Sequence, residues 1–402
     1  MTALFTATSA VCITGLIVVD TATYWSPFGQ VVIFGLFQIG GFGIMTGATL
    51  LGLLVSRRLR LSQRRIVQAE TRSLTPADVR GVMGVLLLVT LSVELVVMGV
   101  LALRFRFSYG EPWGIALWHG LFHAASAFNN AGFSLYPDSL MRFALDPVVL
   151  VPVMLAVILG GIGFPVIHEL RQEWRTPGLW SIHAKITLFG TAILLPLGFA
   201  GIAILEWNNG RTLGDLPAWG RALGALFHSV MTRSGGFNSF DTGALRAESL
   251  LLSDMLMFVG GGSAGTAGGI KITTVFLLGF VVWSEIRGHS EASAFNRSIS
   301  PEVQRQALTI ALLAAMLVSL STLALLSLTP FPLDRVLFEV LSAAATVGLS
   351  TGITDDLPPS GQLILIGLMF VGRVSTITLA AGLALRTRKR LYRFPEERPI
   401  VG

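Results

Sequence analysis

ALFTATSAVCITGL (3–16), GLFHAASAFNNAGFS (120–134), ALFHSVMTRSGGFNS (225–239) and VLFEVLSAAATVGLS (336–350) read as four versions of one motif. Each has Leu-Phe near its start, at Phe5, Phe122, Phe227 and Phe338, and ends on a glycine followed by Leu or Phe, at Gly15, Gly132, Gly236 and Gly348. The Phe-to-Gly offset is ten residues in three copies and nine in the third, and the glycines lie 117, 104 and 112 residues apart. Four unrelated glycine loops would not keep both signals in phase. A recurring unit of this size is one supersecondary module used four times.

The apolar pattern around the motif says what that module is. Long apolar runs near 27–54, 80–104, 146–170, 183–206, 249–285 (interrupted), 303–328 and 360–386 can each cross a hydrocarbon core roughly 30 Å thick. The motif segments near 2–11, 113–127, 219–231 and 333–344 are too short to cross and read as re-entrant. Non-helical backbone at membrane depth is tolerated only where protein or a water-filled cavity surrounds it. The expected fold is therefore an all-α integral membrane protein, four pseudo-symmetric helix–pore-loop–helix repeats around one central ion pore. The repeats fall at 1–58, 78–175, 181–288 and 301–390, the first without its leading helix, followed by a cytoplasmic tail at 391–402.

Composition agrees. Of 402 residues, 52% are hydrophobic and 13% charged, against about 25% charged in a soluble protein. The net charge of +6 does not point to nucleic acid, because 19 of the 29 Lys and Arg lie in 55–80, 169–185, 284–305 and 386–402, each following a long apolar run. Under the positive-inside rule those segments are cytoplasmic, and the motif loops dip in from the outer face. The basic patches at 57–65 and 386–393 suit an acidic partner or anionic lipid headgroups, and plain topology explains them equally well. One cysteine, Cys12, excludes an internal disulfide. No basic run precedes the first apolar stretch, so no cleavable signal peptide is read.

A K⁺ ion entering a narrow pore must shed water, and backbone carbonyls can replace that shell without full negative charge. Turning carbonyls inward needs backbone angles that glycine permits. The candidate ion-binding filter is Cys12, Ile13, Thr14 and Gly15; Asn129, Asn130, Ala131 and Gly132; Ser234, Gly235 and Gly236; and Ala345, Thr346, Val347 and Gly348. The short helices before them would aim their partly negative C-termini at the cation.

A second signal is GGGSAGTAGGIK (260–271), which interrupts an apolar run. Glycine costs about 1 kcal/mol relative to alanine inside a helix, so an unwound segment below the filter is expected, as a candidate gate at Gly260, Gly261, Gly262, Gly265, Gly268 and Gly269. The G-x-G-x-x-G match within it lacks the preceding strand of a nucleotide site. Lys271 and Arg373 are cations within apolar runs, where charges face cavities and carry function; both are expected to set the gate electrostatics and anchor the glycine loop. His119 and His123, four apart, suit zinc in spacing but have no third ligand read nearby, and belong to a pore-helix face. Glu339 is expected to pair with a basic group behind the filter. Asp20, Asp138, Asp241 and Asp355 follow the filter glycines and either enrich cations at the mouth or cap helices. No paired carboxylates and no Cys or Ser with His stand at catalytic spacing, so the chain is not read as an enzyme.

At these residues the chain resembles the Trk/Ktr/HKT superfamily of K⁺ transporters. The matching text is ITGLIVVDTATYWSPFGQVVIFGLFQIGGFGIMT, HAASAFNNAGFSL, TRSGGFNSFD, GGGSAGTAGGIKITT and TVGLSTGITDDL with LMFVGRVSTITLA, along essentially the whole chain. The resemblance implies K⁺ uptake across the cytoplasmic membrane, a homodimer, and a separate cytoplasmic nucleotide-binding regulatory ring. It maps the four glycines to the filter, 260–270 to the intramembrane gating loop and Arg373 to a pore-facing arginine of the last helix. Two features depart from it. The family has an outer helix before the first pore helix, whereas Met1 opens that pore helix here, and Cys12 stands where a threonine-like residue is expected. The alternatives are a Na⁺-permeable or Na⁺-coupled relative, or an inactive N-terminally truncated product.

Overall fold

The computed structural model describes residues 1–63, 76–289 and 291–385. The tail 391–402, the basic run at 386–393 and part of the basic segment 55–80 lie outside them. Its regular structure is helical apart from one two-residue antiparallel pairing, Ser293–Ala294 with Arg297–Ser298.

Each short motif segment is a helix of its own: α1 (Thr2–Val11), α5 (Trp113–Phe128), α9 (Ala218–Met231) and α13 (Leu333–Ala344). A four-residue turn, α2 (Thr21–Tyr24), follows the first motif. Longer helices flank them: α3 (Pro27–Gln63), α4 (Pro76–Tyr109), α6 (Pro147–Ile162), α8 (Ile182–Glu206), α10 (Ala247–Val259), α11 (Ile272–Ile286), α12 (Pro301–Leu328) and α14 (Pro359–Leu385). Their starts are written locally. Asp146 and Ser181 cap α6 and α8 by accepting from Val148 N and Ala184 N, and proline opens α6 and α12. Among the described residues four stretches, Pro27–Gly47, Gly84–Tyr109, Ile182–Glu206 and Pro301–Leu328, are each long and apolar enough to cross a membrane unaided. Ile204, Leu323 and Val96 point outward from such helices, as a lipid-facing surface requires.

Two expected spans arrive broken. The run 249–285 divides into α10 and α11 around the glycine segment, as the sequence suggests. The run 146–170, expected as one helix, does not continue: α6 stops and α7 (Phe164–Glu173) leaves at 94°. The cause is Gly163 at φ +97, with Pro165 behind it. The GGIGFP text at 160–165 carried that break.

The core explains the motif. Phe5, Phe122, Phe227 and Phe338 are all fully buried, and so are Leu16, Phe133, Phe237 and Leu349, which follow the four glycines. The repeated letters are thus packing residues that fix each short helix and its loop. Helix packing is cyclic: α3 lies against α5, α6 against α9, α10 against α13, and α14 returns to α1. Close contact at three of these helices depends on a missing side chain. A Cβ on Gly40, Gly160 or Gly372 would lie 2.2, 1.9 or 2.0 Å from the carbonyl of Val11, Phe128 or Ala344, the last residues of α1, α5 and α13.

Gly160→Ala is expected to destabilise the protein by about 1–3 kcal/mol through overpacking. Gly99→Ala, in an open position on α4, is expected to be neutral or mildly stabilising. Thermal unfolding in detergent compares them; equal effects would contradict the close packing of α6 on α5.

Candidate functional site

All four motif helices end in the same way. The N–H of the residue before the motif glycine returns to a carbonyl in the last turn: Thr14 to Ser9 (2.8 Å), Ala131 to Ser126 (2.7 Å), Gly235 to Met231 (2.8 Å) and Val347 to Ser342 (2.8 Å). The backbone then alternates. Ile13, Asn130, Ser234 and Thr346 have φ of +48, +57, +76 and +47°, and the glycines two residues on have +90, +71, +75 and +94°. Left-handed geometry at a non-glycine residue costs roughly 1–3 kcal/mol and persists only when its surroundings impose it. Here it occurs four times at one register position.

The glycines meet. A Cβ on Gly15 would lie 3.1 Å from the Cα of Gly132, one on Gly132 2.9 Å from that of Gly236, and one on Gly348 3.1 Å from that of Gly15. One on Gly236 would lie 2.6 Å from Val347 O. The structure therefore brings the four candidate segments into one ring, in sequence order. Two of its N–H groups are held from behind by serine hydroxyls: Gly15 N donates to Ser9 Oγ and Gly348 N to Ser342 Oγ, each at 3.1 Å.

Segment 260–271 lies directly against this ring. Gly268 N donates to Ser234 Oγ at 3.0 Å, Thr266 Oγ1 lies 2.9 Å from Asn130 Oδ1, and a Cβ on Gly268 would lie 2.1 Å from Ala345 O. Its other support is the α6–α7 break, through Gly262 N to Gly161 O (2.8 Å) and Thr266 N to Gly160 O (3.0 Å). Three cations donate to its carbonyls: Arg373 Nη1 to Thr266 O (2.6 Å), Lys271 Nζ to Ala267 O (2.5 Å) and Arg233 Nη2 to Gly260 O (3.0 Å). Sequence reasoning singled out the first two and missed Arg233, a lone charge inside a motif whose other three copies have Cys12, Asn129 and Ala345 at that place. It also missed Gly160–Gly163 as the partner of the loop.

Behind the ring, the residue after each motif phenylalanine is buried and polar: Thr6, His123, His228 and Glu339. His123 Nε2 meets Ser134 Oγ at 3.0 Å and His228 Nε2 meets Ser253 Oγ at 2.9 Å. Glu339 does not pair with a basic group as expected. It accepts from Ser350 Oγ, Thr351 N and Thr354 Oγ1 at 2.5, 2.8 and 2.9 Å, and so holds the loop that follows Gly348. Glu94 accepts from Gln38 and Asn129, tying α3 and α4 to the second segment. His119 faces Glu111, eight residues upstream and overlooked in the sequence, at 3.1 Å, while His123 turns to the His119 carbonyl and Ser134. Among the described residues no group of three such side chains could hold a metal ion. Tyr136 OH donates to Glu111 at 2.8 Å; burial first, then that carboxylate, raises its phenol well above the usual range. Asp20 and Asp241 accept from backbone N–H groups just ahead of them, and Asp138 pairs with Arg142 at 2.8 Å.

Comparison with known proteins places this geometry. The model of the TrkH family, described as cation transport proteins, matches residues 1–387. The chain belongs to the TrkH family. That family consists of cation transporters rather than enzymes, and this member is a multi-pass protein of the plasma membrane. It is 39% identical over 400 residues to the Ktr system potassium uptake protein B of Bacillus subtilis (strain 168), covering 100% of this chain and 89% of that one. It is 35% identical to the protein of the same name from Vibrio alginolyticus (100% and 88%), and 34% to the potassium/sodium uptake protein NtpJ of Enterococcus hirae (100% and 89%). The crystal structure of the potassium transporter TrkH from Vibrio parahaemolyticus superposes with a TM-score of 0.70 at 16% identity, over 96% of this chain and 77% of that one, which establishes a shared fold.

Gly348→Ala would set its Cβ 2.2 Å from Thr14 O at φ +94°, whereas Gly352, at φ +86°, has open space around it. Both substitutions carry the backbone strain, but only the first crowds the ring. Gly348→Ala is expected to cut cation uptake into proteoliposomes by at least about tenfold, and Gly352→Ala to leave it largely intact. Equal loss in both would mean that backbone strain, and not the ring, matters.

Proposed function

We propose that this chain is the membrane subunit of a K⁺ uptake system, conducting K⁺ through a ring of backbone carbonyls. The observation that carries the reading is the fourfold alternation of backbone hand ending on Gly15, Gly132, Gly236 and Gly348, which pack against one another. Carbonyl rings replace the hydration shell of K⁺, and the C-terminal ends of α1, α5, α9 and α13 add partial negative charge where the ion loses water. The four repeats, 1–58, 78–175, 181–288 and 301–390, each supply one strand: Cys12–Gly15, Asn129–Gly132, Ser234–Gly236 and Ala345–Gly348. Relatives named as potassium uptake proteins support K⁺ as the ion. A relative named for potassium and sodium supports a second reading, a Na⁺-permeable or Na⁺-coupled pathway of the same fold.

On this reading Gly260–Lys271 is the gate. Seated, it fills the space below the ring, and its carbonyls accept hydrogen bonds from Arg373, Lys271 and Arg233, which hold it there. The name Ktr system on two relatives supports a membrane subunit that works with a regulatory component. We assign that role to a cytoplasmic nucleotide-binding ring acting on a homodimer.

Expression with a matching cytoplasmic subunit is expected to rescue K⁺-limited growth of an uptake-deficient bacterium, and Gly236→Ser to abolish the rescue. No rescue at good membrane expression would sink the K⁺ reading, and equal rescue by the mutant would sink the ring. Arg373→Ala is expected to raise K⁺ flux severalfold in the absence of the regulatory subunit, since the loop loses a charged hydrogen bond worth about 1.5–3 kcal/mol. Unchanged flux and gating would remove Arg373 from the gate.

A further inference from the structure

The third copy of the motif is the irregular one. Counting four residues from the motif phenylalanine gives Ser9, Ser126 and Ser342, but Met231 in the third. The third strand has no hydroxyl behind it at that place. Instead its own Ser234, fully buried, carries a hydroxyl within the ring. Ser234 Oγ donates to Thr346 O at 2.6 Å and accepts from Gly268 N–H at 3.0 Å. One side chain thus touches a strand carbonyl of the fourth repeat on one side and the loop backbone on the other. The loop is close enough there that a Cβ on Gly268 would lie 2.1 Å from Thr346 Oγ1.

We infer that Ser234 is a positioning residue that weakens the Thr346 carbonyl as a ligand for a monovalent cation while the 260–271 loop is seated, and restores it when the loop withdraws. The inference rests on the proposed carbonyl ring and deepens it by naming how seating of the loop reaches the ion. A serine hydroxyl has one proton, and here that proton is committed to Thr346 O. Accepting an N–H polarises the hydroxyl and strengthens its donation, so a seated loop holds the carbonyl more firmly than Ser234 alone would. When the loop leaves, the Gly268 N–H leaves with it, the hydroxyl is free to rotate, and Thr346 O regains its full capacity for an ion. The other two hydroxyl or amide groups at this register position cannot substitute: Asn130 engages the loop through Thr266 Oγ1 by its side chain, and Thr346 is the residue being held.

The test is a K⁺ titration of thermal stability on the purified full chain in detergent, at constant ionic strength with a large organic cation as replacement. Wild type is compared with Ser234→Ala, Ser234→Thr and Ser234→Cys. Loss of the hydroxyl frees Thr346 O with the loop still seated, so Ser234→Ala is expected to lower the K⁺ concentration for half-maximal stabilisation about three- to tenfold. Ser234→Thr, which keeps the donor, is expected to stay within about twofold of wild type. Ser234→Cys, similar in size with a weaker donor, is expected in between, and it decides the matter if the alanine variant does not fold. A purely structural role would lower the melting temperature without K⁺ and leave the midpoint unmoved; that result, or a threonine variant matching alanine, overturns the inference. If K⁺ stabilises none of the proteins, wild type included, the carbonyl ring itself fails and the inference falls with it. If K⁺ stabilises all of them with one midpoint, only the role of Ser234 falls.

Discussion

The contact on which the structure depends is the approach of four Cα atoms with no room for a side chain between them. Gly15, Gly132, Gly236 and Gly348 each hold a positive φ, and each would drive a Cβ into the next segment in the ring. Such a constraint cannot be met locally. Four loops can converge this closely only if the helices behind them are fixed to within a few tenths of an ångström. The fully buried phenylalanines supply that: Phe5, Phe122, Phe227 and Phe338 fill the space behind each loop, and dense packing of this kind transmits displacement instead of absorbing it. Glycines on the neighbouring helices repeat the principle one layer out, with Gly40, Gly160 and Gly372 letting a helix backbone reach the last carbonyl of a motif helix.

Several departures from the motif pattern fall at its third copy. Its motif is one residue shorter, a methionine stands in the serine position, an arginine stands at the helix end, and the following helix breaks at Gly260. These features are physically connected. Gly260 lies 24 residues after Gly236, as Gly372 does after Gly348, so it occupies the position where α14 continues unbroken against the fourth motif helix. The break at Gly260 frees a carbonyl, which Arg233 from the shortened strand takes up. The unwound chain then has to satisfy its own polar groups, and it does so on Ser234, on the Gly160–Gly161 carbonyls and on the two further cations.

Much of this was legible in the sequence. The four short helices appear within a residue or two of where apolar run length placed them, because an apolar run of 10 to 16 residues has few other options in a membrane protein. The interruption at 260–271 was equally plain, since six glycines in ten positions oppose a helix outright. What could not be read was pairing. Nothing in GGIGFP states that its carbonyls serve a loop a hundred residues later, and a helix of 25 apolar residues was the simpler reading of 146–170. Glu339 fell to the same limit: a buried carboxylate suggests a cation, yet hydroxyl and amide donors from the loop after Gly348 satisfy it, and no local pattern distinguishes the two. Arg233 was hidden for a different reason. It sits inside a segment whose glycines already explained it, so its charge drew no separate account.

The cations under the ring sharpen the point about balance. A buried guanidinium or ammonium is costly unless donors and acceptors are matched around it, and Arg233, Arg373 and Lys271 find carbonyls on one unwound segment, at Gly260, Thr266 and Ala267. Loop and cations therefore stabilise each other: the unwound backbone has carbonyls that lack helical partners, and the three cations donate to them. This means that any movement of the loop must come with a new solution for three charges, by water entering from below or by rearrangement of α11 and α14. A segment bonded to three cations, to Ser234 and to the Gly160–Gly161 carbonyls is tied at several points to the helices around it, so it cannot shift at one of them alone.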